Sequence, residues 1–257
     1  MNILLTNDDS HISPLFHLAI DFLESQGRLT VVAPKEEQSW TGKSITRFSN
    51  LHVDEIRIHD HAVYCVDGTP AACVNLAIYN LMDEPPDLVV SGINMGLNTG
   101  ISFAMSSGTL GACLEANIAG IPGIAISQEL DRETYQKWNR DCSFEQSTID
   151  RLRAQIDPLL LRVAGDMIPV DHLPDEPRTW NVNFPFNAAN PCDLVHTSLS
   201  HTYYASIYKQ AGDHYRHDLS PFPKDPRPLT DDAVIRDGHV SLTEIDILDL
   251  GRLQRPV

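Results

Sequence analysis

Asp8 and Asp9 are adjacent carboxylates in the turn Asn7-Asp8-Asp9-Ser10, which closes the short apolar run Ile3 to Thr6. Such a run ended by a polar turn reads as a buried strand. Two carboxylates side by side at a strand end repel each other and raise one another's pKa unless a cation lies between them. A hard divalent ion is the simplest occupant, because it takes oxygen ligands; an acidic solvent-facing turn is the plain alternative from the dipeptide alone. The turn holds no glycine, so a dinucleotide pyrophosphate could not approach the backbone there, and the nucleotide-cofactor fingerprint is absent. Gly42-Lys43-Ser44 resembles the end of a phosphate-binding P-loop, but Glu37 stands where that motif requires glycine, so the tripeptide reads as coincidence.

The second unusual stretch runs from Leu88 to Leu114, where no residue is charged although 21% of the chain is. Gly92, Asn94, Gly96, Asn98, Gly100, Ser106, Ser107, Gly108 and Thr109 make it polar but neutral, which suits a pocket lining. Glycines allow close approach, and amides and hydroxyls bind a ligand without altering its charge. Ser107-Gly108-Thr109 then opens a helix, whose unpaired N–H groups and positive dipole end suit a phosphate. The histidines offer less. His59, His61 and Cys65, or His214 with His217, have spacings that could hold zinc, but each set is incomplete. No GxSxG elbow or HExxH helix occurs.

The elements that must position these groups follow from local signals. Ser13 and Pro14 cap a helix with the apolar stripe Leu15, Leu18, Ala19, Phe22 and Leu23, and Leu29 to Ala33 reads as the second strand. Leu51 to Ile58 and Ala62 to Val66 suggest a strand pair. Thr69-Pro70 caps a helix through Leu81, and Leu88 to Val90 is another buried strand. A helix near Ser107 to Ala119 precedes the strand Ile121 to Ile126. Alternating units of this kind predict an α/β fold, a doubly wound and mainly parallel Rossmann-like sheet, with ligands beyond the carboxyl ends of its strands. Beyond Leu130 the pattern supports one helix from about Ser147 to Val163 and a strand at Trp180 to Asn183. The segment after Pro191, with Tyr203, Tyr204, Tyr208 and Tyr215 and a Pro-rich run, ends in a strand, Val240 to Ile245, without an obvious partner. Such a segment reads as an arm that wraps a neighbour.

The formal charge of −16, spread over both halves, argues against a nucleic-acid polymer as partner. A phosphate ligand would need a local cation or a helix start to reverse the sign. The five cysteines are odd in number and contain no CxxC pair, the N-terminus enters its first strand directly, and no apolar run reaches membrane-spanning length. These features predict a cytoplasmic protein that does not bind membranes.

With these residues in view, the chain resembles the SurE family of metal-dependent survival-protein nucleotidases. The matching segments are Asn7-Asp8-Asp9, Val31-Val32-Ala33-Pro34 with Ser39 and Ser44 beyond it, Gly68-Thr69-Pro70, Ser91-Gly92-Ile93-Asn94 with Gly96 and Asn98, and Ser107-Gly108-Thr109. Asn181-Val182-Asn183 and Thr230-Asp231, leading to Gly238 and Val240-Ser241, are later echoes. The resemblance implies a phosphatase acting on nucleoside 5′- or 3′-monophosphates, with one magnesium or manganese ion per subunit held by Asp8, Asp9, Ser39 and Asn94. It implies Asp8, Asn98 and Ser107 as catalytic groups, Asp8 as base or nucleophile, and Asn98, Ser106, Ser107, Gly108, Thr109 and Ser44 at the phosphate. It further implies residues 1–190 as the catalytic domain and 191–257 as a subunit-exchanged arm of a homodimer or homotetramer.

The chain departs from the family pattern at Ser10 and Trp40, where glycine is usual, at Ala72 and Ala233, and by lacking an acid after Gly100. Its loop from Asn98 to Ser107-Gly108-Thr109 is one residue longer, so Ser106 and Ser107 compete for the phosphate. Ser107 is favoured because helix N–H groups are placed relative to Gly108 and Thr109. Two rivals remain at this level. A magnesium-binding receiver domain would need a phosphoacceptor Asp and a Lys at later strand ends, and the uncharged stretch supplies neither. A catalytically weak nucleotide-binding module would follow only if the departures abolish turnover.

Overall fold

The computed structural model describes residues 1–167, 177–219 and 223–249. Pro221 and Phe222 of the Pro-rich segment, and residues 250–257 of the expected arm, lie outside them. The architecture is α/β. Among the described residues one sheet of nine strands has the order β3-β4-β2-β1-β5-β6-β7-β11-β8. Its strands are β1 (Asn2–Thr6), β2 (Arg28–Pro34), β3 (Val53–Ile58), β4 (His61–Val66), β5 (Leu88–Met95), β6 (Gly123–Gln128), β7 (Thr179–Phe184), β8 (Leu194–Thr197) and β11 (Val240–Ile245). The run from β4 to β7 is parallel, β3 returns antiparallel on β4, and β11 pairs antiparallel with β7 and parallel with β8. The hairpin of β9 (Tyr208–Ala211) and β10 (His214–His217) stands apart from the sheet.

Alternation along the central strands explains the two-sided core. Ile3 and Leu5 of β1, Val31 and Ala33 of β2, and Leu88 and Val90 of β5 pack with α1 (Pro14–Leu23) and α6 (Gln146–Met167). Leu4, Val32 and Val89, one residue out of phase, pack with α2 (Pro70–Leu76) and α4 (Gly108–Ile118). Each of these Ile, Leu and Val side chains contributes about 1.5–3 kcal/mol by leaving water. The expected caps are present: Ser13 Oγ accepts from Phe16 N–H, and Thr69 Oγ1 accepts from Ala72 N–H.

Three features differ from the sequence reading. A short helix, α3 (Ile101–Ser106), precedes α4 inside the uncharged stretch, with only Ala104 buried to signal it. A polar helix, α5 (Arg132–Asp141), capped by Asp131, buries only Thr134 and Trp138, too few for a readable stripe. The third is a correction: Val240 to Ile245 does not lack a partner, since it lies between β7 and β8 in the main sheet, and Asp231 and Asp232 open the helix α7 (Asp231–Arg236) beside it. The segment after Pro191 therefore completes the sheet of its own chain, and the part that stands out from it is the hairpin. No helix among the described residues is long and apolar enough to cross a membrane.

Candidate functional site

The chain winds outward in opposite directions from β1 and β5, so the crevice at their carboxyl ends is the topological switch point of the sheet. Asp8 and Asp9 follow β1 there, in a turn held by the Asn7 amide, which donates to the Ser10 carbonyl at 2.8 Å. Ser10 takes φ +68°, a conformation glycine adopts without cost. Two other elements grip the carboxylates. The first turn of α4 holds Asp8, through Thr109 N–H at 3.1 Å and Thr109 Oγ1 at 2.8 Å. β5 holds Asp9, through Met95 N–H at 2.8 Å.

The path of β5 explains how Asn94 arrives beside them. Its register against β6 shifts between Ser91 and Asn94. Gly92 has φ +136°, and a Cβ there would lie 2.3 Å from the Ile126 carbonyl oxygen, so only glycine lets the strands stay paired across the irregularity. Beyond it the Asn94 amide nitrogen donates to the Gly96 carbonyl and to Ser127 Oγ, leaving its carbonyl oxygen for a ligand. Asn98 is fixed more tightly: its amide donates to Ser127 Oγ at 2.8 Å, its backbone N–H to Asn183 Oδ1 at 2.8 Å, and its carbonyl accepts from Asn181 Nδ2 at 2.8 Å. Ser39 comes from the loop after β2, which the Gln38 N–H ties to the Asp8 carbonyl at 2.7 Å, and its hydroxyl donates to Glu37 at 2.7 Å.

Asp8, Ser39, Asn94, Asn98, Ser106 and Ser107 thus line one cavity of about 360 Å³. Asp9 stands behind Asp8, only 3% exposed. Gly108 packs against Asp8, so closely that a Cβ would lie 2.9 Å from its Oδ2. Two expectations shift. Thr109 is fully buried and both of its donors serve Asp8, so it positions the carboxylate instead of meeting a phosphate. Ser44 is exposed outside the cavity lining, where its carbonyl accepts from Thr69. The sequence reading missed Ser127, which bridges both asparagines, and had Asp231 only as an echo of the family pattern, without its role: its carboxylate accepts from Gly100 N–H at 2.7 Å and Ser200 N–H at 2.9 Å. For Asn181 and Asn183 the signal was their two-residue spacing, which puts both on one strand face.

The electrostatics call for a cation. Burial pushes the Asp8 carboxyl up to about 6 against the pull of the Thr109 bonds, with a smaller push from Glu37. Asp9 rises well above the ordinary carboxylate range, through burial first and the Asp8 charge second. Among the described residues the cavity lining includes Asp8 and Glu129 but no Lys or Arg. Among the described residues no three His, Cys, Asp or Glu side chains converge as a ligand cluster. An ion here therefore relies on two carboxylates and the neutral oxygens of Ser39 and Asn94, a donor set that fits a hard divalent cation over zinc. His59 and His61 instead face Asp21 and Glu24.

A pH dependence follows with a definite sign. Because Asp8 binds its proton more tightly in the folded chain than in the unfolded one, the metal-free protein loses stability as pH rises from about 4 through about 6. Asp8→Asn removes that loss. In chelator the variant should gain on the wild type by on the order of 3 kcal/mol between pH 4 and pH 7, measured by denaturant unfolding. A gap that stays constant or narrows would contradict the burial argument.

Comparison with known proteins adds an independent line. The family model described as "Survival protein SurE" matches residues 3–206. The chain is 33% identical to the 5′-nucleotidase SurE of Archaeoglobus fulgidus, over 96% of this chain and 92% of that one. With the 5′-nucleotidase SurE of Pelotomaculum thermopropionicum it shares 34% identity over 99% and 93% of the two chains. With the one from Methanopyrus kandleri it shares 48%, but that alignment spans only about half of each, 51% of this chain and 49% of that one. The crystal structure of SurE protein from Aquifex aeolicus superimposes with a TM-score of 0.70 at 29% identity, covering 97% of this chain and 96% of that one.

Proposed function

Because the chain belongs to the survival protein SurE family, we propose that it is a metal-dependent phosphatase that hydrolyses nucleoside 5′- or 3′-monophosphates to nucleoside and phosphate. The observation that carries this reading is that Asp8, with Asp9 buried behind it, opens on a cavity whose described lining residues include no Lys or Arg, which a phosphate dianion could enter only beside a cation. Asp8, Asp9, Ser39 and Asn94 hold one magnesium or manganese ion. When bound, the ion supplies positive charge at the phosphoryl oxygens and lowers the pKa of a water. Assays of p-nitrophenyl phosphate and nucleoside monophosphates with and without manganese test the reading; full turnover after exhaustive chelation, or none with metal, would end it. The receiver-domain reading has no counterpart in these residues.

The chain's own groups then do the following. Asp8, with its carboxylate fixed by Thr109, acts as base or nucleophile. Asn98, immobilised by Ser127, Asn181 and Asn183, directs its amide along the cavity wall and orients the phosphate. Ser107 caps α4, and its Oγ accepts from Leu110 N–H, so its proton remains to be donated to the phosphate. The Ser106 hydroxyl is instead engaged with the Ser102 carbonyl and with Tyr204 at 2.8 Å. Ser107→Ala should therefore lower kcat by roughly one to two decades and Ser106→Ala by much less, read well below the melting temperature because the cap itself is worth about 1 kcal/mol. The reverse ranking would place the phosphate at Ser106.

The protein is read as cytoplasmic, in line with five unpaired cysteines, of which burial pushes the Cys65 thiol up to about 11. It is also read as a homodimer or homotetramer in which the exposed outer side of the hairpin meets a neighbouring subunit, while His217 keeps its contact with Trp40 of its own chain. Tyr208 and Tyr215 of that hairpin are 57% and 68% exposed. Replacing residues 206–218 by a short Gly-Ser turn should lower the sedimenting mass while leaving the sheet folded. An unaltered mass would reject the hairpin as a subunit contact.

A further inference from the structure

Trp40, directly after Ser39, sits at φ +65°, in the left-handed region that a bulky side chain rarely occupies. Strain of this kind persists where surrounding contacts over-determine it, and it concentrates at ligand sites. The contacts are present. Gly42 N–H donates to the Ser106 carbonyl at 2.9 Å, which pins the loop to the end of α3. The indole meets Phe103 at 5.8 Å and 66°, Tyr204 at 5.6 Å and 53°, and His217 at 4.9 Å and 64°. Phe103 and Tyr204 also meet each other at 5.7 Å and 73°.

These rings are all tilted or edge-on, and none lies stacked parallel on the indole. Trp40 keeps 39% of its surface exposed. It lines the same cavity as Asp8, Asn98 and Ser107, and Phe103 lines it too. The residues read as the phosphate site and an aromatic wall therefore share one chamber, and Trp40 and Phe103 bring no charge to it. A neutral planar ring joined by a short linker to a phosphate matches that chamber: the phosphate by the carboxylates and their cation, the ring against the indole.

Resting on the phosphatase reading, we propose that Trp40, supported by Phe103, Tyr204 and His217, is the stacking platform of a nucleobase subsite and a specificity-determining residue for nucleotides over other phosphate monoesters. Stacking tolerates every base, because each has a π face, and it favours the larger purines. The subsite thus selects for an aromatic base without reading its edge, and the fold spends backbone strain at residue 40 to present the platform.

Trp40→Gly removes the indole and relaxes the backbone, so the test does not depend on a destabilised variant. The ratio of KM for adenosine 5′-monophosphate to KM for ribose 5-phosphate should rise roughly 5- to 100-fold, less for a pyrimidine nucleotide, and Trp40→Phe should restore most of it. An unchanged ratio would overturn the platform, and so would an equal rise for Trp40→Phe. Adenosine alone, without a phosphate, should quench the wild-type tryptophan fluorescence saturably, and this quench should be absent in Trp40→Phe, in which Trp138 and Trp180 remain. The absence of a saturable wild-type quench would overturn the subsite even if both phosphate esters are hydrolysed. If neither ester is hydrolysed but adenosine still quenches, the phosphatase reading fails while the base platform stands.

Discussion

Asp9→Asn is expected to abolish turnover while making the metal-free protein more stable, a combination that an ordinary structural residue would not show. The amide is isosteric with the carboxylate, and its carbonyl oxygen can still accept the Met95 N–H bond at 2.8 Å, so the turn and β5 keep their contact. What disappears is one of two negative charges buried at 3% exposure beside a cavity whose described lining residues include no Lys or Arg. Burial and the adjacent Asp8 charge already hold Asp9 far above the usual carboxylate range, so its ionised form is costly whenever no cation is bound. Loss of the charge should lower manganese-supported phosphatase activity by about 10³-fold or more, the several kcal/mol that metal charge supplies at a phosphoryl group. In chelator at neutral pH, the melting temperature of the variant should exceed that of the wild type. Measured side by side, activity within a decade of wild type would remove Asp9 from the metal site. A melting temperature below wild type would show that the carboxylate stabilises the fold and does not strain it.

Gly108→Ala should cost activity out of proportion to its size. At the first helical position of α4, alanine would ordinarily be the better helix former, and the φ of Gly108 is not in the glycine-only region. The obstacle is space: a Cβ would lie 2.9 Å from both Asp8 Cβ and Oδ2 and 3.1 Å from the Gln38 carbonyl oxygen. Asp8 cannot retreat easily, since Thr109, the next residue on the same helix, holds both of its oxygens. Either the helix start or the carboxylate must shift by a few tenths of an ångström or more. Overpacking of this kind costs about 1–3 kcal/mol of stability, and misplacing a reacting group by up to about 1 Å costs on the order of 10²-fold in rate. Kinetics at a temperature where the variant is fully folded by circular dichroism separate the two effects. Wild-type kcat in the folded variant would mean that Asp8 does not need its present position.

Much of this arrangement was legible in the chain because it is local. The phase of Ile3, Leu4 and Leu5 assigns a two-sided strand; Ser13-Pro14 and Thr69-Pro70 announce helix starts by chemistry within one turn; and Asp8, Asn94, Asn98 and Ser107 stand out as polar groups in uncharged or apolar surroundings. The sequence also carried the demand for a cation, since adjacent carboxylates at a strand end repel whatever the rest of the fold does.

Tertiary structure alone decided who answers those groups. Asp8 finds Thr109, Asp9 finds Met95, Asn98 finds Asn183 and Gly100 finds Asp231, partners 85 to 131 residues away. Such pairings depend on strand order and register, which periodicity does not encode, because a strand's apolar alternation is satisfied equally well beside any neighbour that buries both faces. For the same reason Val240 to Ile245 read as an unpartnered strand until its place between β7 and β8 was seen. Trp40 read as a substitution in a loop until Phe103, Tyr204 and His217 closed around it. Local sequence selects which groups can act; the long-range contacts, each requiring a large loop to close, select which of them meet.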